Sequence, residues 1–131
     1  MRRRLLLVLC VLAALAFASV AVGGGGAKFK VKLNSIGWSC GSSCGQFNKH
    51  KDSFVIKRLD DDHTSCMPLV DFFSCRWTAR AGTKVVLEVR VPDTDPPIQV
   101  DWSDDCAPSQ THKCVLIMDS NKEFGVFLEG P

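Results

Sequence analysis

The sequence predicts a small, mainly β domain stapled by disulfides, sandwich-like or β-grasp-like, with about six short strands and little helix. Three observations predict it. Several segments alternate apolar and polar residues with a period of two, the signature of strands with one buried face. Clusters of Gly, Pro, Asn, Asp and Ser separate them at close intervals. Six cysteines, Cys40, Cys44, Cys66, Cys75, Cys106 and Cys114, follow an N-terminal segment that reads as an export signal.

That segment sets the compartment. Arg2, Arg3 and Arg4 form a basic start, Leu5 to Val22 is apolar apart from Ser19, and Ala16-Phe17-Ala18 or Ala21-Val22-Gly23 supplies the small-x-small cleavage pattern. An apolar stretch of roughly 18 residues also suffices for an uncleaved anchor. Cys10 lies inside it, preceded by a large Leu9 where a lipoprotein signal has a small residue. Residues 1–26 are therefore expected as leader and glycine-rich exit. Residues 27–131 are expected as one domain, secreted or held at the cell surface.

The leader also accounts for the positive charge. Of sixteen Lys and Arg, three belong to it, which leaves thirteen against fourteen acidic residues from Ala27 onward. The remaining chain is close to neutral and carries no nucleic-acid-binding motif, so nucleic acid is excluded as a partner. A membrane contact is expected only through an uncleaved leader.

A domain of this size buries about two-thirds of its unfolded surface. Each cross-link adds about 2–4 kcal/mol by restricting the unfolded chain. Six cysteines allow 15 connectivities, and spacing alone does not select one. Pairing of neighbours, 40 with 44, 66 with 75 and 106 with 114, is the expectation, because each pair brackets a turn. Zinc is the competing use: His63, His112 and His50 lie near cysteines, yet only the first pair has a spacing common in structural zinc sites.

In chain order, K-F-K-V-K-L-N places Phe29, Val31 and Leu33 on one face and Lys28, Lys30 and Lys32 on the other. This is a half-buried strand with a solvated outer face. Ser35 to Gly45 is a small polar loop clasped by Cys40 and Cys44. Ser53 to Leu59 is a short strand carrying Phe54 and Ile56. Asp60-Asp61-Asp62-His63 is a solvated loop, since a calcium loop spaces its ligands at alternate positions and needs a turn glycine. Met67 to Phe73 forms a subsidiary apolar cluster, with a helical turn or two allowed between Met67 and Arg80.

Gly82-Thr83 opens the clearest strand, with Val85, Leu87, Val89 and Val91 alternating against Lys84, Glu88 and Arg90. Asp93, Asp95, Pro96 and Pro97 make the next loop. Ile98, Val100 and Trp102 share a face, Val115 to Met118 is a further strand, and Asp119 to Lys122 is a hairpin turn. Phe124, Val126 and Leu128 mark the last strand. The structural core is expected around Trp102, Val85, Leu87, Val89, Phe124 and Val126.

The order I-G-W-S-C-G-S-S-C, G-T-K-V-V-L-E-V, V-D-W-S-D-D-C, C-V-L-I-M-D and N-K-E-F-G-V-F-L-E resembles a bacterial repeat domain, the divergent internalin-B-type B-repeat. The resemblance covers roughly Lys28 to Cys44 and Gly82 to Glu129. It implies a β-rich stalk, spacer or adhesive unit at a bacterial surface, with no catalytic residues to transfer. Three departures stand out. An apparent insertion at about 46–81 carries its own cysteine pair, Asp104 follows Trp102-Ser103 where the family has glycine, and there is a single copy.

No catalytic constellation is expected. W-S-C-G-S-S-C lacks the order and the downstream His and Asn of a thiol protease, and C-x3-C lacks redox-motif spacing. Asp93, Asp95, Asp101, Asp104 and Asp105 read as solvated loop residues rather than acid/base partners, and no cofactor fingerprint is present. The chain is expected to be an exported, non-enzymatic β module that binds or spaces an extracellular protein or glycan, with no cofactor and no metal. The alternative is a small secreted effector or inhibitor acting through the segment 60–80. In either case Phe72, Phe73, Arg76 and Trp77 are the candidate contact set, unless they form a second small core.

Overall fold

A computed structural model describes residues 26–60 and 64–131. The leader, and Asp61, Asp62 and His63 of the acidic run, lie outside the described residues. Among those described, the chain forms eight strands, two more than expected: β1 (Lys28–Ser39), β2 (Val55–Arg58), β3 (Ser65–Cys66), β4 (Arg76–Arg80), β5 (Lys84–Arg90), β6 (Gln99–Asp104), β7 (Lys113–Ile117) and β8 (Lys122–Glu129). They make two four-stranded sheets, ordered β4-β1-β8-β6 and β3-β2-β5-β7.

The inner faces of both sheets share one core. The first contributes Val31, Leu33, Trp77, Ala79, Trp102, Phe124, Val126 and Leu128. The second contributes Ile56, Cys66, Val85, Leu87, Val89, Cys114 and Leu116. The result is a β-sandwich. At its centre the Phe124 ring lies between two indoles, 6.4 Å from Trp77 and 6.1 Å from Trp102 by ring centroids. Each buried indole N–H is satisfied: Trp77 Nε1 donates to Thr64 Oγ1 at 2.9 Å and Trp102 Nε1 to the Thr111 carbonyl at 2.7 Å.

The disulfides pair neighbours in sequence, Cys40–Cys44, Cys66–Cys75 and Cys106–Cys114, with Cα separations of 4.8, 5.3 and 5.6 Å. Two of them join the sheets. Cys66 sits on β3, an edge of the second sheet, and Cys75 immediately precedes β4, an edge of the first. Cys106 follows β6, the other edge of the first sheet, and Cys114 lies on β7, the other edge of the second. Both open sides of the sandwich are thus closed covalently, by buried cystines. The Cys40–Cys44 link instead clasps the end of β1 to a short helix.

An ion pair reinforces the first closed side. Arg58, on β2, is 6% exposed, the only buried charged residue among those described. Its Nε donates to both oxygens of Asp60 at 3.0 and 2.9 Å, and Nη1 crosses to the other sheet to donate to the Thr78 carbonyl of β4 at 2.9 Å. The Val86 N–H donates to the same carboxylate at 3.2 Å. Alternation in V-I-K-R places Arg58 on the inner face beside Ile56. It is tolerated there because its charge is paired and its donors reach acceptors.

Several expectations about individual segments change. β1 runs on to Ser39, through residues expected as loop. A register shift between Leu33 and Ser35 is followed by parallel pairing of Ser35–Ser39 with Gly125–Glu129 of β8. Ile36 and Trp38 do alternate with Ser35, Gly37 and Ser39, but the register shift puts them out of phase with Val31 and Leu33, so the sequence does not read as one continuous strand. Gly37 permits the close approach: a Cβ there would meet the Phe127 ring at 3.0 Å. A six-residue helix, α1 (Cys44–Lys49), follows; it is too short to show periodicity, and it places Phe47 against Phe54 at 4.9 Å.

The segment 46–81, expected as an insertion with a subsidiary cluster, supplies β2, β3 and β4 to both sheets. Its Phe47, Phe54, Ile56, Trp77 and Ala79 join the common core, with Leu69 and Phe72 packed against it, while Met67, Val70 and Phe73 stay exposed. Asp104, at the position where the resemblance expects glycine, has φ 56°, the one non-glycine residue with positive φ among those described. Glycine is the least strained residue in that conformation and Asp among the next best. Its carboxylate also accepts a hydrogen bond from Asn34 Nδ2 at 2.6 Å.

Candidate binding surface

Of the four residues expected as a partner contact, three reach solvent. Phe73 is 72% exposed, Arg76 is exposed, and Phe72 is half-buried with its ring edge-on to Phe73 at 5.4 Å. Trp77 does not belong with them. Strict alternation along R-W-T-A-R turns it inward, opposite Val31 in the β1–β4 register, and it becomes a core residue against Phe124. The loop before β4 holds the other three in place. A 3-10 turn at Phe72–Ser74 is closed by the Ser74 hydroxyl donating to the Asp71 carbonyl at 2.7 Å, and Arg76 Nε donates to the Phe73 carbonyl at 2.8 Å.

Pairing of β4 with β1 adds cations that sequence distance conceals. Lys28 stands opposite Arg80, Lys30 opposite Thr78, and Lys32 opposite Arg76, and all six side chains lie on the outer, exposed face. The three lysines are therefore more than a solvated strand face: with two arginines they form one basic surface. Lys32 is tied to Glu123 at 3.2 Å. No carboxylate lies within ion-pair distance of Lys28, Lys30, Arg76 or Arg80 among the described residues.

Beside this surface runs an open groove of about 620 Å³, lined by Lys30, Lys32 and Arg76, the hydroxyls of Thr64, Ser65, Ser74 and Thr78, and Trp77. A smaller hollow of about 180 Å³ continues from Lys32 and Arg76 to Phe72 and Phe73. Elsewhere on this outer face the charged residues are acidic, Glu123 and Glu129 on β8 and Asp101 on β6, with Phe127 of β8 also exposed.

The second sheet is arranged differently. On its outer face Glu88 stands between Lys57 and Lys113 in the register and accepts from Arg90 Nε at 2.7 Å. The Arg90 hydrogen bond holds the Glu88 carboxyl below its ordinary range, against the opposing effect of partial burial. Charge there is locally compensated.

The carboxylates of Asp93, Asp95, Asp101, Asp104 and Asp105 are exposed, and two of these serve the fold: Asp104 accepts from Asn34, and Asp105 accepts the Glu123 N–H at 2.8 Å. His50 and Asp93 line a hollow of about 180 Å³ with Phe47, Phe54 and Ile98. All six cysteines are in disulfides, so none offers a thiolate. No three His, Cys, Asp or Glu side chains converge on one point, and no helix is long and apolar enough to cross a membrane, among the described residues.

The fold and its cross-links define a small, disulfide-stapled, mainly β domain, a construction that belongs in an oxidising environment. Comparison of the chain with family models, curated proteins and solved structures finds no match.

Proposed function

We propose that this chain is an exported, non-enzymatic β-sandwich module that binds a partner outside the cytoplasm through the β1–β4 face and the loop at Phe72–Phe73. The carrying observation is the juxtaposition of Phe73, a large apolar side chain left in solvent, with Arg76 and with Lys28, Lys30 and Arg80, which have no carboxylate within ion-pair distance among the described residues. An aromatic anchor beside Arg is the composition of binding hot spots. The leader pattern and the cystines support export. The resemblance to a bacterial surface repeat supports a stalk or adhesive setting, in which one copy would act as a binding unit.

The alternative, a secreted effector or inhibitor that inserts a loop into its target, is favoured by the same Phe72–Phe73 turn. In both readings the surface, not a chemical centre, does the work.

The test is retention of the purified, labelled protein, as secreted, on the intact surface of the producing cells. The double variant Phe73→Ala/Arg76→Ala is expected to lower retention at least tenfold, while circular dichroism and the unfolding midpoint change little. Undiminished retention in that variant contradicts the proposal.

A further inference from the structure

We infer that the ligand of the β1–β4 face is an acidic polysaccharide, a chain of sugars carrying repeated carboxylate or sulfate groups. The inference rests on the binding function just proposed and names the chemistry of its partner.

The first support is energetic. Like charges directly opposite each other on neighbouring strands are destabilising. Two such pairs, Lys28 with Arg80 and Lys32 with Arg76, occupy this face, and the Lys30 ammonium lies between them without a counter-ion among the described residues. Glu123, opposite Lys32 on β8, offsets the second pair much as Glu88 offsets the cations of the other sheet, but Lys28, Lys30 and Arg80 have no such carboxylate among the described residues. A surface organised against its own stability is accounted for by a ligand that supplies the missing anions.

The second support is spacing. Side chains on alternate strand residues are about 6.6 Å apart along the strand, and neighbouring strands about 4.8 Å apart. The five cations therefore form two parallel rows rather than a single point charge. That array suits a linear polymer with a charge on each sugar or each disaccharide better than one isolated phosphate.

The third support is the margin. Thr64, Ser65, Ser74 and Thr78 line the groove beside the cations. The Ser65 and Thr78 hydroxyls both donate and accept, as sugar hydroxyls require; the Thr64 oxygen already accepts from Trp77, and Ser74, whose proton is given to the Asp71 carbonyl, keeps acceptor capacity. Phe73, 72% exposed, stands at its end, where an aromatic face can take the apolar side of a sugar ring. Single-stranded nucleic acid instead calls for a series of stacking aromatics along the cationic track, whereas here Phe72 and Phe73 stand together at one end of the cations.

Binding of the secreted protein to a heparin-derived oligosaccharide and to an oligogalacturonate is measured by calorimetry, with neutral dextran, single-stranded DNA and phosphatidylglycerol vesicles as comparison probes. The variant Lys30→Glu/Arg80→Glu changes the charge of the face. The variant Lys51→Glu/Lys84→Glu makes the same net change elsewhere, at exposed lysines outside it.

The expected result is binding to at least one acidic saccharide and none to dextran, weakened tenfold or more in the first variant and under threefold in the second. Because Arg80→Glu sets opposite charges against Lys28, the first variant is also expected to unfold at an equal or higher denaturant concentration, so lost binding is not lost folding. Equal weakening in both variants, no binding to either acidic saccharide, or tighter binding to DNA or vesicles overturns the inference. If cell-surface retention still depends on Phe73 and Arg76 while neither saccharide binds, the ligand class fails and the binding function stands.

Discussion

Replacing Phe124 by alanine is expected to lower the unfolding free energy by about 3–5 kcal/mol, the usual cost of deleting a buried ring. Phe124 is fully buried, and its neighbours Trp77 and Trp102 come from the two edge strands of the first sheet. Its removal therefore opens a void that neither indole fills without abandoning its own hydrogen bond, to Thr64 or to Thr111. Phe124→Leu, which keeps most of the volume, is expected to cost less than half as much. Urea unfolding followed by tryptophan fluorescence measures both. A loss below about 1 kcal/mol for the alanine variant, well under the core range, contradicts the assignment of this cluster as the centre of the fold.

The second large effect concerns Arg58. Breaking a buried pair by removing one partner leaves a charge without compensation, at a cost of about 3–5 kcal/mol. Arg58→Ala strands the Asp60 carboxylate, whose side chain is 15% exposed, and also removes the donor to Thr78 that ties β2 to the opposite sheet. The double replacement Arg58→Met/Asp60→Leu is expected to be more stable than Arg58→Ala, since no charge remains buried.

The pair also sets an acid limit. Burial raises the Asp60 pKa, but the hydrogen bonds from Arg58 and the Val86 N–H outweigh it, so the carboxyl titrates below its ordinary 3.8. A depressed carboxylate pKa contributes stability above the unfolded value, and that stability is lost as pH falls through the folded one. The unmodified protein is therefore expected to lose stability below about pH 4 more steeply than Asp60→Asn, which starts lower and has less to lose. Parallel acid limbs for the two proteins would show that the pair makes no such contribution.

How much of this was legible in the sequence depends on where the information sits. Val85, Leu87 and Val89 show their buried face directly, because a strand's period is two and its outer residues are polar. Phe124, Val126 and Leu128 do the same on β8. The second half of β1 is harder to read, because the shift after Leu33 breaks the phase of the alternation and Ile36 and Trp38 stand among Ser, Gly and Cys that read as loop. Trp77 stands in the sequence with Phe72, Phe73 and Arg76 as either a contact set or a second small core, and the register of R-W-T-A-R separates it from them by turning it inside. Arg58 carries no signal of its own in the sequence, because its burial depends on Asp60 and on a carbonyl from a strand twenty residues later. The basic face is the clearest case. Lys28, Lys30 and Lys32 declared an outer face, but Arg76 and Arg80 join them only when β4 folds back on β1. The surface is a product of topology.

The staples carry the same lesson in reverse. Neighbouring cysteines bracket turns, and the turns turn out to be the places where the chain passes from one sheet to the other. That makes the covalent pattern the most direct test of an exported sandwich closed along both open sides. Intact mass of the protein recovered outside the cell, before and after reduction, with peptide mapping, should show a chain beginning after Ala18 or Gly23. It should be six hydrogens lighter than its reduced form, with Cys66 linked to Cys75 and Cys106 to Cys114. Free thiols in the exported protein, a crossed pairing such as Cys66 with Cys106, or recovery only inside the cell with the leader intact contradicts it.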